Sequence, residues 1–297
     1  MGVTDSRSTF ARTTTDLLDQ RDDTALVYAE ISGQYFGAAE RRHPHRVVNV
    51  GIREQLLVSA AAGMALVGLR PVVHTFASFL VERAFEQVKL DFGHQDVGGV
   101  LVSTGGSYDV SAGGRTHQAP GDVALVDTLG DWTIHVPGHP AEVAESLRLA
   151  VAGSGRHYVR VTEEQNPQGF PVTPGTFQRI RSGARGTVVA VGPTLGPVLE
   201  ATTGQDVTVL YASVVRPFDA EGLRDSLGRP DVVLVEPYLV GTSSWLVSDA
   251  LRDRPHRLLA LGVGRRELRR YGTPAEHRAA HGLDAAGIRR ALDAFLG

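Results

Sequence analysis

Apolar positions along this chain fall into short continuous runs separated by longer amphipathic stretches. TALVYAEI, RVVNVG, PVVHTF, VGGVLVST, WTIHVPG and HYVRVT are runs of the first kind. They are rich in β-branched residues and mostly lack strict alternation, which predicts parallel strands covered on both faces. Helical spacing predicts helices at Ser6–Gln20, Arg53–Val67, Ser78–Phe92 and Pro140–Ala152. Strand and helix in alternation make an open α/β sandwich. The texture then breaks. EEQNPQGFPVTPGTFQ has three prolines, two glycines and no period, and it reads as a linker. Alternation resumes with GTVVAVG, DVTVLYASVV read as one strand, PDVVLVEPY and RLLALGVG, with helices after Asp219, from Thr242, and twice at the end. The boundary falls near Gln165–Arg179. The expected organisation is an α/β domain over 1–168, a linker over 169–180 and a smaller α/β domain over 181–297, each of ordinary domain size.

Composition narrows the function. Of 297 residues 42% are hydrophobic and 21% charged, so sizeable cores can be buried. A net charge of −3 argues against a dominant nucleic-acid or membrane role, since both favour a basic surface. No cysteine is present, which excludes disulfides and thiolate metal sites. The opening MGVTDSRSTFARTTTD lacks the apolar core of a signal peptide. No apolar run is long enough to span a bilayer, so the expected location is the cytoplasm.

Three stretches carry candidate chemistry. In open α/β sheets ligands bind beyond the carboxyl ends of the strands. In NVGIREQLLVSAAAGMALVG a strand ends at Gly51, and Glu54 opens a helix that is apolar on nearly every side. Such a helix should be buried. Desolvation would raise the pKa of a carboxyl group there, while the helix N-terminus favours the anion. The alternative is an acid that merely satisfies helix amides. In PVVHTFASFLVERAFEQVK a strand delivers Phe76 and Phe79, either as a stacking wall for a flat ligand or as core packing. In VSAGGRTHQAP two glycines allow close backbone approach and are followed by His117 and Gln118. Neither a dinucleotide fingerprint nor a P-loop is present, and neither Gly-Asp pair has the following glycine of a magnesium-diphosphate motif.

VGIREQ, TFASF, GRTHQ, SVVRPFD, VVLVEPY and YGTPAEH, in this order, resemble the C-terminal half of the transketolase family. That half comprises a pyrimidine-binding domain and a small C-terminal domain. The likeness covers nearly the whole chain and extends to the beta subunits of 2-oxo acid decarboxylases and to deoxyxylulose phosphate synthase. The half that grips diphosphate and Mg²⁺ is missing, so the chain resembles the second subunit of a split two-chain transketolase. The resemblance implies that Glu54 hydrogen-bonds the pyrimidine of thiamine diphosphate and promotes the imino tautomer that removes the thiazolium proton. It implies that Phe79 and Phe76 stack on the ring, that Glu30 is a further cofactor contact, and that His117, Gln118 and Arg115 face the substrate, with His117 also catalytic. Mg²⁺ would be held mainly by the partner, in an α2β2 heterotetramer. The sequence slips by one residue after Phe79, at VER, and no role is assigned to Glu82 or Arg83.

The sugar-phosphate grip departs from the family pattern. Gly113 replaces an Asp that recognises a sugar hydroxyl. Gly105 replaces a phosphate-binding His, and Glu164 replaces a phosphate-binding Arg, where it should repel the anion. Arg12 is a further candidate phosphate ligand. These departures point to transfer of a two-carbon ketol unit to an unusual acceptor. The alternatives are a decarboxylase beta subunit feeding a lipoyl or carrier domain, and a non-catalytic partner.

Overall fold

The structure, a computed structural model, describes residues 5–297. The first four residues of the segment read against a signal peptide, and of the first expected domain, lie outside the described residues. The apolar runs assemble as two sheets. The first holds β1 (Thr24–Tyr28), β2 (Val47–Asn49), β3 (Arg70–Phe76), β4 (Gly99–Thr104), β5 (Trp132–His135) and β6 (Arg156–Val161), in the order β5-β6-β4-β3-β1-β2 with parallel pairing. The second holds β7 (Gln178–Arg181), β8 (Thr187–Val191), β9 (Thr208–Ala212), β11 (Asp231–Leu239) and β12 (Arg257–Val263), with β10 (Val214–Arg216) leaving it for the first sheet. β1, β4 and β8 are buried at every position, as continuous apolar runs require.

Helices cover both faces of the first sheet. α1 (Ser6–Gln20) is capped by Asp5, whose carboxylate accepts from the Ser8 amide, and packs on α2 (Gly33–Arg42) and on α6 (Pro140–Ala152). α3 (Glu54–Leu66) lies against β3 and β1, followed by α4 (Phe85–Gln87) and α5 (Asp122–Asp127). The short helices α2 and α5 are not announced by the periodicity; each is only a few turns long and starts at or just after a glycine. The second sheet carries α7 (Leu195–Ala201), α8 (Ala220–Asp225), α9 (Ser244–Ala250), α10 (Pro274–Ala280) and α11 (Ala285–Leu296). Among the described residues no helix is long and apolar enough to cross a membrane.

Four expectations need correction. The run DVTVLYASVV is two strands. The chain turns at Ser213, and β10 pairs antiparallel with β5, Val214 opposite His135. Both sheets bury their strands fully here, so the sequence carries no change of period to mark the switch. The end of the expected linker forms the edge strand β7, antiparallel to β9. The expected helix over Ser78–Phe92 runs on to His94 and has π-helical turns at Ser78–Arg83 and Val88–His94. A π turn absorbs an extra residue within a helix, and VER lies in the first of these two turns. Finally, α3 is not buried all round. Leu57, Val58, Ala61 and Ala62 are inside, whereas Leu56, Leu66 and Val67 are exposed by 47%, 56% and 79%. Its second apolar face has no covering element among the described residues.

Candidate active site

The parallel register aligns the carboxyl ends of β1, β2, β3 and β4, with Tyr28 opposite Asn49 and His74, and Phe76 opposite Thr104. Glu30, Glu54, Phe76 and Gly105 all follow from those ends. Glu54 begins α3 and is 1% exposed, so a carboxylate is held at the helix mouth out of water. Its compensating charge is Arg83, which donates from Nη1 to Oε2 at 2.7 Å. The Oε1 atom accepts no hydrogen bond among the described residues. The guanidinium of Arg83 also lies 4.1 Å from the centroid of the Phe79 ring, a cation–π distance. Phe79, Phe76 and His117 form a closed edge-to-face triangle, with ring centroids 5.8, 5.4 and 5.1 Å apart. Glu54, Phe76, Phe79 and His117 are therefore one continuous assembly. Arg83, to which the sequence assigns no role, joins its two ends. Arg83 ends the first π-helical turn, in the VER segment where the sequence slips against the family pattern.

The other candidates fall apart from this assembly. Glu30 is exposed, with φ 58°, and exchanges hydrogen bonds with Asn49. Arg115 donates to the Gln118 carbonyl at 3.1 Å, and both line a separate cavity beside the second sheet. Arg12 is exposed on α1.

The loop from Gly105 to Gln118 explains the family departures in steric terms. Gly105 has φ +70°, and a Cβ there would lie 2.7 Å from Val110 Cγ2 and 3.0 Å from Phe76 Cδ1. A Cβ on Gly113 would lie 2.8 Å from His117 Cγ. Neither the His nor the Asp of the family pattern fits this backbone. The loop is also clamped by the second domain. Ser111 Oγ donates to the Gly272 carbonyl at 2.9 Å, the Leu239 amide donates to the Pro120 carbonyl at 2.7 Å, and Ser107 bonds the Pro237 carbonyl. Tyr108 stacks near His277 and His281 at 5.7 and 6.0 Å. Tyr271, 67% exposed, sits against Gly114, where a Cβ would meet its Cε1 at 2.7 Å. Glu164, expected to repel a phosphate, is paired with Arg278 of α10 across the domains.

Comparison with known proteins places these features in a family. The description of the transketolase pyrimidine-binding domain matches residues 4–168. The chain belongs to the transketolase family, whose members use thiamine diphosphate, and corresponds to its C-terminal half. It is 50% identical to an uncharacterized 33.6 kDa protein in the fasciation locus of Rhodococcoides fascians, over 99% of this chain and 96% of that one. It is 30% identical to one of the subunits of the apulose-4-phosphate transketolase of Actinobacillus succinogenes, over 84% of each chain. It is 31% identical to 1-deoxy-D-xylulose-5-phosphate synthase 2 of Geobacter sulfurreducens, over 97% of this chain but 48% of the synthase. The chain thus spans about half the length of the synthases that it matches. Among solved structures, a split-gene transketolase in an inactive beta4 tetramer superposes with a TM-score of 0.86 at 25% identity, over 99% of both chains.

Proposed function

We propose that this chain is the pyrimidine-binding subunit of a two-chain, thiamine diphosphate-dependent ketol transferase, active only with a partner chain that supplies the diphosphate and Mg²⁺ site. The observation that carries the reading is Glu54: a carboxyl group at the mouth of α3 and out of water, with one oxygen paired to Arg83 and the other unpaired and able to carry a proton to a ring nitrogen, beside two phenyl rings. That donor set fits an aminopyrimidine, which offers a ring nitrogen to an acid and a flat face to an aromatic. The bound cofactor would supply a carbon nucleophile for carbonyl chemistry. Glu54 would hold the pyrimidine edge and share a proton with it. Phe79 and Phe76 would fix its plane, and His117, resting on both rings, would present an N–H to a carbonyl oxygen where negative charge develops.

A split organisation also accounts for the uncovered face of α3. Ile52, Leu56, Leu66 and Val67 lie exposed along one side, and Leu90, also exposed, sits on the Val88–His94 turn that packs beside α3. Contiguous exposed apolar surface marks an association surface. The apulose-4-phosphate transketolase relative is itself named as one subunit of its enzyme, and the split-gene chain was solved as a beta4 tetramer. Both support assembly from separate chains, here as α2β2. The cramped turns at Gly105 and Gly113 leave no room for the family's hydroxyl- and phosphate-binding side chains at those positions, which favours an acceptor held differently from the usual pentose phosphates.

The experiment mixes this chain with its cognate diphosphate-binding partner. Thiamine diphosphate binding and ketol transfer should appear only in the mixture. Glu54→Gln should keep assembly and lower turnover by about a hundredfold or more, the scale of a general acid–base contribution. Full turnover by the Gln variant, or by this chain alone, would refute the assignment.

A further inference from the structure

The turn that carries His117 has a second side. Arg115 and Gln118, flanking that histidine, line a cavity of about 240 Å³ whose opposite wall comes from the second domain. That wall is the end of β12 and the turn after it, with Arg265 and Arg266, together with His277 of α10 and His281 just beyond it. The cavity also touches Glu82 and Glu267. Neither Arg265 nor Arg266 has an ion-pair partner among the described residues, and both are exposed. The Gly264 amide donates to His281 Nδ1 at 3.2 Å, which leaves the proton of a neutral ring on Nε2, as a donor. Gln118 Nε2 is a buried donor with no partner among the described residues. Glu82 and Glu267 are the two acids of the lining, both exposed, against the three guanidinium groups of Arg115, Arg265 and Arg266.

From this geometry we infer that the interdomain cavity is the seat for the anionic end of a small phosphorylated substrate, with Arg115 of the first domain and Arg265 and Arg266 of the second as its clamp. Guanidinium forks match phosphate oxygens two at a time. The volume suits a phosphate with a few carbons and is below the usual range for drug-sized and nucleotide ligands. The position explains how the chain dispenses with phosphate ligands at Gly105 and Glu164. The C-terminal domain provides the charge instead, on a wall that the Glu164–Arg278 pair and the Ser111–Gly272 hydrogen bond hold against the loop.

The inference rests on the proposed function for calling the ligand a substrate, and its test is kept separate from turnover. Ribose 5-phosphate is titrated calorimetrically into the full chain, without cofactor, beside ribose and inorganic phosphate. Saturable binding of the sugar phosphate, at least tenfold weaker in Arg265→Ser/Arg266→Ser and in Arg115→Ser, is the expected result. Because Arg115, Arg265 and Arg266 are exposed, far-UV spectra and melting should not change. Undetectable binding, or binding that the substitutions leave alone, would remove the site. Inorganic phosphate binding as tightly as the sugar phosphate would remove the substrate assignment. Glu54→Gln should bind the probe as the unsubstituted chain does, so the cavity and the cofactor reading can fail independently.

Discussion

The two sides of the candidate site are built in opposite ways. The proposed cofactor side, Glu54 with Arg83, Phe79 and Phe76, comes wholly from the first sheet and from elements adjacent in sequence. The proposed substrate side, Gly105 to Gln118, has little regular structure and takes its shape from the second domain: Pro237, Leu239, Tyr271, Gly272 and α10. A helix mouth and a strand end fix a side chain through the backbone that carries them. A glycine-rich loop cannot do that, so its geometry is imposed from outside. The C-terminal domain therefore shapes the site as well as enlarging the molecule.

Acid should separate the two sheets most strongly. His74 and His135 are fully buried in the first sheet, and burial pushes each down to about 3 from 6.5. His157, stacked on His135 with Nδ1 3.1 Å from its Nε2, is pushed down to about 4, again mainly by burial. A folded value below the unfolded one means that the unfolded chain binds more protons. The stability these rings contribute is complete above about pH 6.5 and is lost as pH falls toward the folded values. Between pH 6.5 and pH 5 each fully buried ring should cost on the order of 2 kcal/mol. Hydrogen exchange, corrected for intrinsic rates, should show β3–β6 losing protection on acidification before β8–β12. Equal loss in both sheets would break the contrast.

The comparison also shows what sequence can reveal. The strands, the two-sheet division and the assembly around Glu54 were legible because each rests on local signals: apolar runs, a strand ending at Gly51, a Phe three residues after another. Arg83 was not, because its contact with Glu54 joins two helical segments 29 residues apart, which local periodicity does not reveal. The split of DVTVLYASVV was hidden because both halves are buried alike. The exposed face of α3 was misread because an apolar sequence looks the same whether its own chain or another chain covers it. Tyr271 and Arg278 were out of reach for a further reason. They lie more than a hundred residues from the loop they hold, as the pairing of Arg278 with Glu164 (|i−j| = 114) shows.

Restoring the family residue tests the substrate side directly. If that side were merely a pentose-phosphate site with one ligand lost, Gly113→Asp should raise turnover of sugar phosphates. The structure predicts the reverse. The new Cβ would fall 2.8 Å from His117 Cγ and Nδ1, and the ring cannot retreat without leaving Phe76 and Phe79. Turnover by the assembled enzyme should fall by about tenfold, or ~1.4 kcal/mol in the barrier. Melting should shift little, because the loop is half exposed. A gain in sugar-phosphate turnover would show that the loop is more compliant than its contacts imply.

The smallest effect is expected where the domains meet in partial solvent. The Glu164 and Arg278 side chains are 25% and 28% exposed, so Arg278→Ala should cost only about 0.5–1 kcal/mol of stability. Its value as a test lies in where the loss appears. If the pair serves to press α10 against the loop, a double-mutant cycle with Glu164→Ala should return a coupling of that size in urea unfolding, and each single change should raise KM for the substrate more than it lowers kcat. A coupling near zero, with kinetics unchanged, would mean that the loop keeps its shape without the second domain. The contrast between a self-supporting cofactor side and an imposed substrate side would then be lost.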